Sequence, residues 1–325
     1  MIKAGIIGGT GITAGELIRI LLYHPSVDID FVYSTSQAGQ LVSAVHTDLL
    51  GQTDLAFSGE VNPEVDVVFL ALGHGNSKKF LEENNFSSST KIIDLSRDFR
   101  LKYQTVWNGK PFVYGLPELH KETIKKASNI ANPGCFATAI QLSLLPLAQN
   151  NLIHTDVHIH AITGATGAGR SLMETTSFNW RNNNLSVYKA FTHQHIDEIK
   201  ENIDFLQPGF HTDLNFVPMR GDFSRGIFAS VYLDSALDEA EVQSLYKDFY
   251  QDSPFTQVSD QPVHLKQVVN TNQAFINVSK YGAKLHITTV IDNLLKGASG
   301  QAVENMNLMF GFKQDEGLRL KPVVF

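Results

Sequence analysis

The chain has a single cysteine, Cys135, among its 325 residues. An internal disulfide and a multi-cysteine metal site are therefore excluded. Low cysteine content is typical of the reducing cytoplasm, where we expect this protein to act. No apolar run is long enough to span a bilayer, and the first residues indicate a strand and a turn instead of a signal peptide. We therefore expect no association with a membrane.

Basic residues are also few, because 26 Lys and Arg stand against 33 Asp and Glu and give a net charge of −7. No basic cluster marks a surface for nucleic acid. We therefore expect a small-molecule substrate and no nucleic-acid partner. The length is sufficient for two domains, each with its own core.

Short apolar strands alternate with helical stretches over the first third of the chain. Nearly continuous apolar runs of this kind predict a parallel sheet covered on both faces. After residue 135 the strands alternate more and predict an antiparallel sheet, with helices at about 193–205 and 237–250. A last helix at 300–309 could return to the first domain. The predicted strands cover 2–7, 29–33, 65–72, 91–95 and 129–131 in the first domain, and 158–163, 214–218, 227–233, 275–279 and 284–291 in the second.

A glycine-rich turn, GGTGITAG at 8–15, follows the first predicted strand and opens the first helix. Gly8 permits a tight turn, and Gly11 lets the main chain approach a pyrophosphate at the helix N-terminus. The strand before and the helix after make a dinucleotide site much more probable than a bare turn. The cofactor-binding residues predicted here are Gly8, Thr10, Gly11, Ile12 and Thr13.

The end of the second strand has no carboxylate and reads Ser34-Thr35-Ser36-Gln37. A site for NAD usually places Asp or Glu there to hold the ribose hydroxyls. Hydroxyl donors leave room for a 2′-phosphate instead, so the sequence favours NADP, with Ser34 and Ser36 as contacts. The alternative, in which these side chains only cap a loop, stays open, above all for Gln37.

Cys135 lies in the segment NPGCFAT at 132–138, where a Pro-Gly turn is expected to deliver it to the first turn of a helix. Unpaired N–H groups and the helix dipole stabilise a thiolate there. A buried structural thiol is the alternative, but the position after a turn favours a nucleophile. Proton transfer near neutral pH suits histidine, and we predict His193, with His195 in reserve. We predict no metal site, because no other Cys-His cluster supports zinc.

Two arginines beside glycines or strand ends are candidates for anion binding. Arg100 ends the segment DLSRDFR at 94–100, and Arg170 ends the glycine-rich segment GATGAGR at 164–170. An arginine can clamp a carboxylate or a phosphate with two parallel hydrogen bonds. A surface salt bridge is the alternative, and it is a weaker one for these two than for Arg97.

Taken together, these segments resemble the N-acetyl-gamma-glutamyl-phosphate reductase family, which is related to aspartate-semialdehyde dehydrogenase. The resemblance runs over nearly the whole chain. Its segments are GGTGITAGEL at 8–17, ALGHG at 71–75, DLSRDFR at 94–100, YGLPEL at 114–119, ANPGCFATA at 131–139, GATGAGR at 164–170, HQHIDEI at 193–199 and DNLLKGASGQAVENMN at 292–307.

The resemblance implies NADPH-dependent reduction of an acyl phosphate to an aldehyde, with release of phosphate, in arginine biosynthesis. By position, Cys135 is the nucleophile and His193 the acid-base residue, while Asn293 and Gly297 line the nicotinamide. The residues expected to bind substrate are Arg100, Arg170, His195 and Glu198.

The resemblance also completes the expected architecture. The fold class is α/β, with an N-terminal Rossmann-like dinucleotide-binding domain, residues 1–134 plus 300–325, and an α+β substrate and dimerisation domain, residues 135–299. It further implies a homo-oligomer, either a dimer or a tetramer.

The chain departs from the usual family pattern at three positions. Gln37 replaces an arginine that follows the second strand, Gln194 replaces the arginine of an HRH motif, and Met219 replaces a histidine after a proline. The first change bears on the 2′-phosphate contact and the other two on the acyl pocket, so the N-acyl group stays open between acetyl and succinyl. The alternative functions are aspartate-semialdehyde dehydrogenase, a cysteine hydrolase or acyltransferase without cofactor, and a non-catalytic dinucleotide-responsive regulator.

Overall fold

The computed structural model describes residues 1–323, which divide into two compact units. The first unit comprises Met1–Gly134 and Ala298–Arg319, and the second comprises Cys135–Gly297 and the described residues from 320 onward. The return to the first unit thus begins two residues before the expected position 300. Residues 324 and 325 of the predicted 300–325 segment lie outside the described residues.

The strands and α-helices occupy the following residues. The strands are β1 (Ile2–Ile7), β2 (Val27–Tyr33), β3 (Phe57–Ser58), β4 (Val67–Leu70), β5 (Lys91–Asp94), β6 (Val106–Trp107), β7 (Lys110–Tyr114), β8 (Asn129–Ala131), β9 (Val157–Thr163), β10 (Ser186–Val187), β11 (Leu214–Arg220), β12 (Ile227–Asp234), β13 (Thr256–Ser259), β14 (Ala274–Tyr281) and β15 (Lys284–Ile291). The α-helices are α1 (Ile12–Leu21), α2 (Asn76–Glu83), α3 (Pro117–Ile124), α4 (Cys135–Gln149), α5 (Phe178–Arg181), α6 (His195–Leu206), α7 (Glu239–Tyr250) and α8 (Gly300–Phe310).

The first unit contains an eight-stranded sheet in the order β3-β2-β1-β4-β5-β8-β7-β6. Neighbouring strands are parallel except for the antiparallel hairpin of β6 and β7 at one edge. Strand β4 is buried along its whole length, as expected for a strand covered on both faces. The parallel sheet is therefore confirmed. The strand order reverses at β1, and such switch points form a crevice for ligands at the carboxyl ends of the strands.

Helix α8 packs against α1 and α3, so the last helix belongs to the first unit. It is buried along nearly its whole length, and Nδ2 of Asn307 donates to the carbonyl oxygens of Gln314 and Glu316 inside the unit. The Nδ2 of Asn305 donates to the carbonyl oxygen of Gly115 and to Oδ1 of Asn132. The helix expected at 300–309 is thus confirmed, and it supports the turn that precedes Cys135.

The second unit contains a seven-stranded sheet in the order β10-β11-β9-β12-β15-β14-β13. The prediction of an antiparallel sheet is wrong for two pairs, because β9 lies parallel to β11 and β13 lies parallel to β14. Parallel neighbours need a long crossover, and the chain between β9 and β11 includes helix α6. Helices α4 and α7 pack on the strands, and α6 packs on α4. Within residues 1–323, no helix combines the length and the apolar character that crossing a membrane requires.

Candidate active site

The glycine turn after β1 has the geometry of an anion cradle. Gly8 has a φ of +80°, and a Cβ at this position would lie 2.7 Å from the carbonyl oxygen of Ala71, so only glycine fits. The N–H of Gly9 donates to the carbonyl oxygen of Tyr33, which joins the turn to the end of β2. Gly11 is the N-cap of α1, and no acidic residue lies in the first turn. A glycine cap brings no side chain to the first N–H groups, so the turn fits a negatively charged pyrophosphate.

The residues after β2 lie at the same edge of the sheet. Ser34 is buried, and its Oγ lies 3.4 Å from Oγ of the exposed Ser36. Gln37 is half-buried in the same short turn. These positions agree with the expected place of a 2′-phosphate, and contact with it stays a prediction.

His46 contacts the main chain of the glycine turn, and it is not among the site residues predicted from the sequence. Its Nε2 lies 2.7 Å from the carbonyl oxygen of Gly9. A Cβ on Gly15 would lie only 2.5 Å from Nδ1 of His46, so the helix can approach this ring because residue 15 is glycine. Nothing local in the sequence links His46 to the turn, since the contact depends on the folded loop after β2.

Arg100 is buried and holds main-chain atoms. Its Nε donates to the carbonyl oxygen of Asn132 at 2.9 Å, and its Nη2 donates to that of Leu95 at 3.0 Å. Nearby Asp94 is fully buried, and burial raises its pKa to about 6, although hydrogen bonds from serines and the charge of Arg100 oppose the rise. The observed role of Arg100 is to fix the turn before Cys135. Substrate binding by this residue stays a prediction.

Cys135 is the first residue of α4, which confirms its expected place in the first turn of a helix. The main chain of Gly297 lies directly against it, because a Cβ on Gly297 would be 2.8 Å from Cβ of Cys135. The N–H of Gly297 donates to the carbonyl oxygen of Asp292. The buried carboxylate of Asp292 in turn accepts from Nε of Arg225 at 3.0 Å. This hydrogen-bonded loop thus brings main chain, without a side chain, against Cys135.

His193 is buried among aromatic rings. Its ring centroid lies 5.5 Å from that of Phe136, the residue after Cys135. Burial, with a smaller contribution from the positive charge of Lys189, lowers the pKa of His193 to about 4. Its Nδ1 accepts the main-chain N–H of His195 at 3.2 Å. The imidazole is therefore neutral at pH 7, with its hydrogen on Nε2, because the other nitrogen is an acceptor.

His195 and Glu198 lie in the first turn of α6 and are both buried. Nε2 of His195 lies 3.8 Å from Oε1 of Glu198. The ring of His195 also stands edge-on to Phe136, with centroids 6.3 Å apart. Gln194 instead takes part in an exposed contact, in which its Oε1 accepts from Nζ of Lys189 at 3.2 Å. The histidine pair thus faces the start of α4, and substrate binding by His195 and Glu198 stays a prediction.

A strained segment connects Tyr188 to His193. Lys189 and Phe191 have φ values of 48° and 59°, in the left-handed region that residues other than glycine rarely adopt. Backbone strain of this kind persists where the surroundings enforce it and is concentrated at functional sites. Here the enforcing contacts are main-chain hydrogen bonds to β11, since the N–H groups of Tyr188 and Phe191 donate to carbonyl oxygens of that strand.

Tyr188 is the second site residue that sequence analysis missed. Its ring centroid lies 5.8 Å from that of His193. Burial raises the pKa of Tyr188, and the charge of Cys135 raises it further, whereas Arg220 lowers it. The phenol therefore lies within the range of electrostatic interaction of both the sulfur of Cys135 and the guanidinium of Arg220.

Asn293 uses its side chain to join three loops. Its Oδ1 accepts the N–H of Gly226 at 2.7 Å, and its Nδ2 donates to Oγ1 of Thr166 at 3.1 Å. Thr166 belongs to the glycine-rich loop that ends at the exposed Arg170. Roles of Asn293 and Gly297 at the nicotinamide, and of Arg170 at the substrate, stay predictions. Among residues 1–323, no group of three or more His, Cys, Asp or Glu side chains has an arrangement that could hold a metal ion.

Known proteins resemble this chain along its full length. Residues 3–127 match the family described as semialdehyde dehydrogenase, NAD binding domain, and residues 135–293 match semialdehyde dehydrogenase, dimerisation domain. The chain is 58% identical to the N-acetyl-gamma-glutamyl-phosphate reductase of Christiangramia forsetii, with 100% of both chains covered. The same enzyme of Bacteroides thetaiotaomicron is 51% identical, again over 100% of both chains. The chain belongs to the N-acetyl-gamma-glutamyl-phosphate reductase family. The predicted family is therefore confirmed.

Solved structures of another semialdehyde enzyme share the fold of this reductase family member. Aspartate semialdehyde dehydrogenase II from Vibrio cholerae gives a TM-score of 0.71 at 17% identity, with 96% of this chain and 98% of that chain covered. The aspartate semialdehyde dehydrogenase from Candida albicans, solved with NADP, gives 0.68 at 14% identity, with 95% and 98% covered. At such identities the likeness shows the fold alone, and it confirms the predicted α/β class.

Proposed function

We propose that the protein reduces N-acetyl-gamma-glutamyl phosphate to N-acetylglutamate 5-semialdehyde with NADPH, as a cytoplasmic step of arginine biosynthesis. The observation that carries the chemistry is the position of Cys135, the first residue of α4, with the bare main chain of Gly297 against it. The full-length similarity to reductases of this name supports the substrate. We assign NADP binding to residues 1–134 with 298–319, and catalysis and dimerisation to residues 135–297.

The residues of the first unit fit the cofactor. The N–H groups at the start of α1, which Gly8 and Gly11 leave open, would hold the pyrophosphate, and Ser34 with Ser36 would hold the 2′-phosphate. Asn293 and Gly297 belong to the second unit, and we assign them to the nicotinamide because the family resemblance implies it. When bound, NADPH supplies the hydride that takes the acyl group from the oxidation level of a thioester to that of an aldehyde.

Acylation uses Cys135, the acyl phosphate and a proton from water. The thiolate of Cys135 attacks the acyl carbon and forms a C–S bond. The C–O bond to phosphate then breaks, and phosphate leaves with the bonding electrons and takes a proton from water. The N–H groups in the first turn of α4, together with the helix dipole, stabilise the negative oxygen of the tetrahedral state.

Release of the aldehyde breaks the same C–S bond. Once the acyl carbon is reduced, its oxygen carries a negative charge, and the carbonyl re-forms as the electron pair returns to sulfur. His193 presents an N–H at Nε2, because its Nδ1 accepts the N–H of His195. We assign to it a hydrogen bond to the substrate oxygen through both tetrahedral states, so that the neutral imidazole stabilises the negative charge on that oxygen.

The reverse reaction tests the proposal. The wild-type protein should reduce NADP when it receives N-acetylglutamate semialdehyde and phosphate, as measured by NADPH absorbance. Cys135→Ser should abolish this turnover and leave NADPH binding unchanged in a fluorescence titration. Retained turnover in this variant would contradict the nucleophile assignment.

A substrate panel separates the alternatives. N-succinylglutamate semialdehyde and aspartate semialdehyde, each with NADP and with NAD, should be poorer than the N-acetyl compound with NADP. Preference for another aldehyde would replace the proposed substrate, and preference for NAD would replace the proposed cofactor. Light scattering during size-exclusion chromatography should give a multiple of the 36.0 kDa chain mass, as a dimerisation domain implies.

A further inference from the structure

Arg220 lies at the carboxyl end of β11, where the buried face of the strand ends in a cation. Side chains alternate between the two faces of a strand, so Arg220 shares its face with Phe216 and Pro218, which are buried. The ring of Phe216 stands edge-on to that of His193, with centroids 5.5 Å apart. Strand geometry therefore directs the arginine to the side of the sheet that carries the candidate active site.

The main chain at this position is fixed by a second arginine. Nη1 of Arg181 donates to the carbonyl oxygen of Arg220 at 2.6 Å. Other nitrogens of Arg181 donate to the carbonyl oxygen of Thr175 and to Oγ of Ser186. Arg181 thus uses its own donors to fix the main chain around Arg220. Because it bonds to the carbonyl oxygen of Arg220, the guanidinium of Arg220 takes no part in this contact.

The guanidinium of Arg220 has an unused donor. Its Nε is buried and has no hydrogen-bond partner anywhere in residues 1–323. The Oδ2 of Asp222, the acid closest in sequence, accepts the main-chain N–H of Asn183 instead. Buried polar groups of native proteins nearly always have a partner, so this Nε is a donor that an anion could use, although the Arg220 side chain also hydrogen-bonds to Tyr188.

Tyr188 links this cation to the nucleophile. The guanidinium of Arg220 lies over the phenol ring, with Cζ 4.7 Å from the centroid. The same phenol ring lies 5.8 Å from that of His193, and the ring of His193 lies 5.5 Å from that of Phe136, the residue after Cys135. An anion held by Arg220 would therefore lie beside the group that attacks the acyl carbon.

We propose that Arg220 binds an oxyanion of the substrate, either the phosphoryl group or the carboxylate, while the acyl carbon meets Cys135. This assignment rests on the proposed function. It differs from the two arginines expected from the sequence, because Arg100 uses its Nε and Nη2 on main-chain carbonyls and Arg170 lies on an exposed loop. A planar fork stacked on an aromatic ring suits both phosphate and carboxylate.

Alkylation of the thiol tests the position of the cation without any turnover. Iodoacetate is an anion and iodoacetamide is neutral, so a nearby guanidinium accelerates the first reagent selectively. Arg220→Gln should lower the ratio of the two alkylation rates of Cys135 about five- to tenfold. Arg220→Lys should keep most of the ratio, and Arg319→Gln, which removes an exposed arginine paired with Asp315, should leave it unchanged.

Steady-state kinetics of the reverse reaction identify the oxyanion. If Arg220 holds phosphate, Arg220→Gln should raise the KM of phosphate roughly 10- to 100-fold, and if it holds the carboxylate, the KM of the semialdehyde should rise by this factor. An unchanged alkylation ratio, or unchanged KM values for both substrates, would overturn the assignment. Absence of turnover in the wild-type protein would instead refute the proposed function, and the alkylation ratio would still locate the cation.

Discussion

The neutral state of His193 should make the stability of the second unit depend on pH. Burial lowers its pKa from 6.5 to about 4, so the folded chain excludes a proton that the unfolded chain binds. Between these two values the unfolded state carries more protons, and the free energy of unfolding therefore falls as the pH is lowered. Below about pH 4 both states are protonated and the dependence ends.

The magnitude follows from the two pKa values. The difference of 6.5 − 4 = 2.5 units corresponds to roughly 3 kcal/mol when the group has titrated fully. Between about pH 7.5 and pH 5 the expected loss is about 2 kcal/mol, because titration is still incomplete. Asp94 has the opposite sign, since its pKa is raised to about 6 and the folded state then binds more protons. A variant of His193 is needed to separate the two effects.

The assay compares His193→Asn with its parent in a Trp107→Phe background. Trp180 is then the only tryptophan and reports on the second unit, so urea unfolding can be followed by its fluorescence. Between pH 7.5 and pH 5 the unfolding free energy of the variant should fall about 2 kcal/mol less than that of the parent. His154→Asn, which changes an exposed histidine, should follow the parent. Equal losses in His193→Asn and its parent would refute the inference of a neutral, buried imidazole.

Two glycine substitutions test the close approaches at the site. Gly297→Ala places a Cβ 2.8 Å from Cβ of Cys135, so it should destabilise the protein by about 1–3 kcal/mol and slow reverse turnover. Gly59→Ala meets only a surface methyl at 3.3 Å and is the control in the same urea unfolding and turnover assays; equal effects would contradict a specific clash. Gly8→Ala combines a φ of +80° with a contact of 2.7 Å to the carbonyl oxygen of Ala71, so NADPH should bind about tenfold more weakly. Unchanged NADPH affinity in a fluorescence titration would show that the turn does not hold the cofactor.

Local sequence signals were sufficient for the parts of the site that depend on one turn. The segment around Cys135 predicts a turn and a helix start because a Pro-Gly pair stops the strand, and the structure begins α4 at Cys135. Gly8 was predicted for the same kind of reason, since a left-handed turn between a strand and a helix requires glycine. Most strands were also placed within a few residues, because apolar runs and their limits are local properties.

The residues that the sequence did not reveal depend on pairing between distant strands. Tyr188 and Arg220 approach each other because β10, which ends directly before Tyr188, pairs with the end of β11, a strand distant in sequence. The parallel pairing of β9 with β11 was missed for the same reason, since alternation of polar and apolar residues does not give strand direction. Asn293 shows a further limit. An asparagine is suitable for contacting a ligand. The hydrogen bonds of its side-chain amide to Gly226 and Thr166, however, were not predictable from the residues around it.

A single strand register therefore controls much of the chemistry. The carbonyl oxygens of Phe216 and Pro218 hold the strained segment that begins at Tyr188, while Arg220 follows on the same face. A slip of one residue would turn this face away from the helices and remove the arginine and the aromatic wall together. Met219, one of the three departures from the family pattern, lies on the face of β11 opposite to Arg220 and pairs with Val187. Met219 and Arg220 thus lie on opposite faces of β11, and the anion-binding role proposed for Arg220 belongs to the face that also carries Phe216.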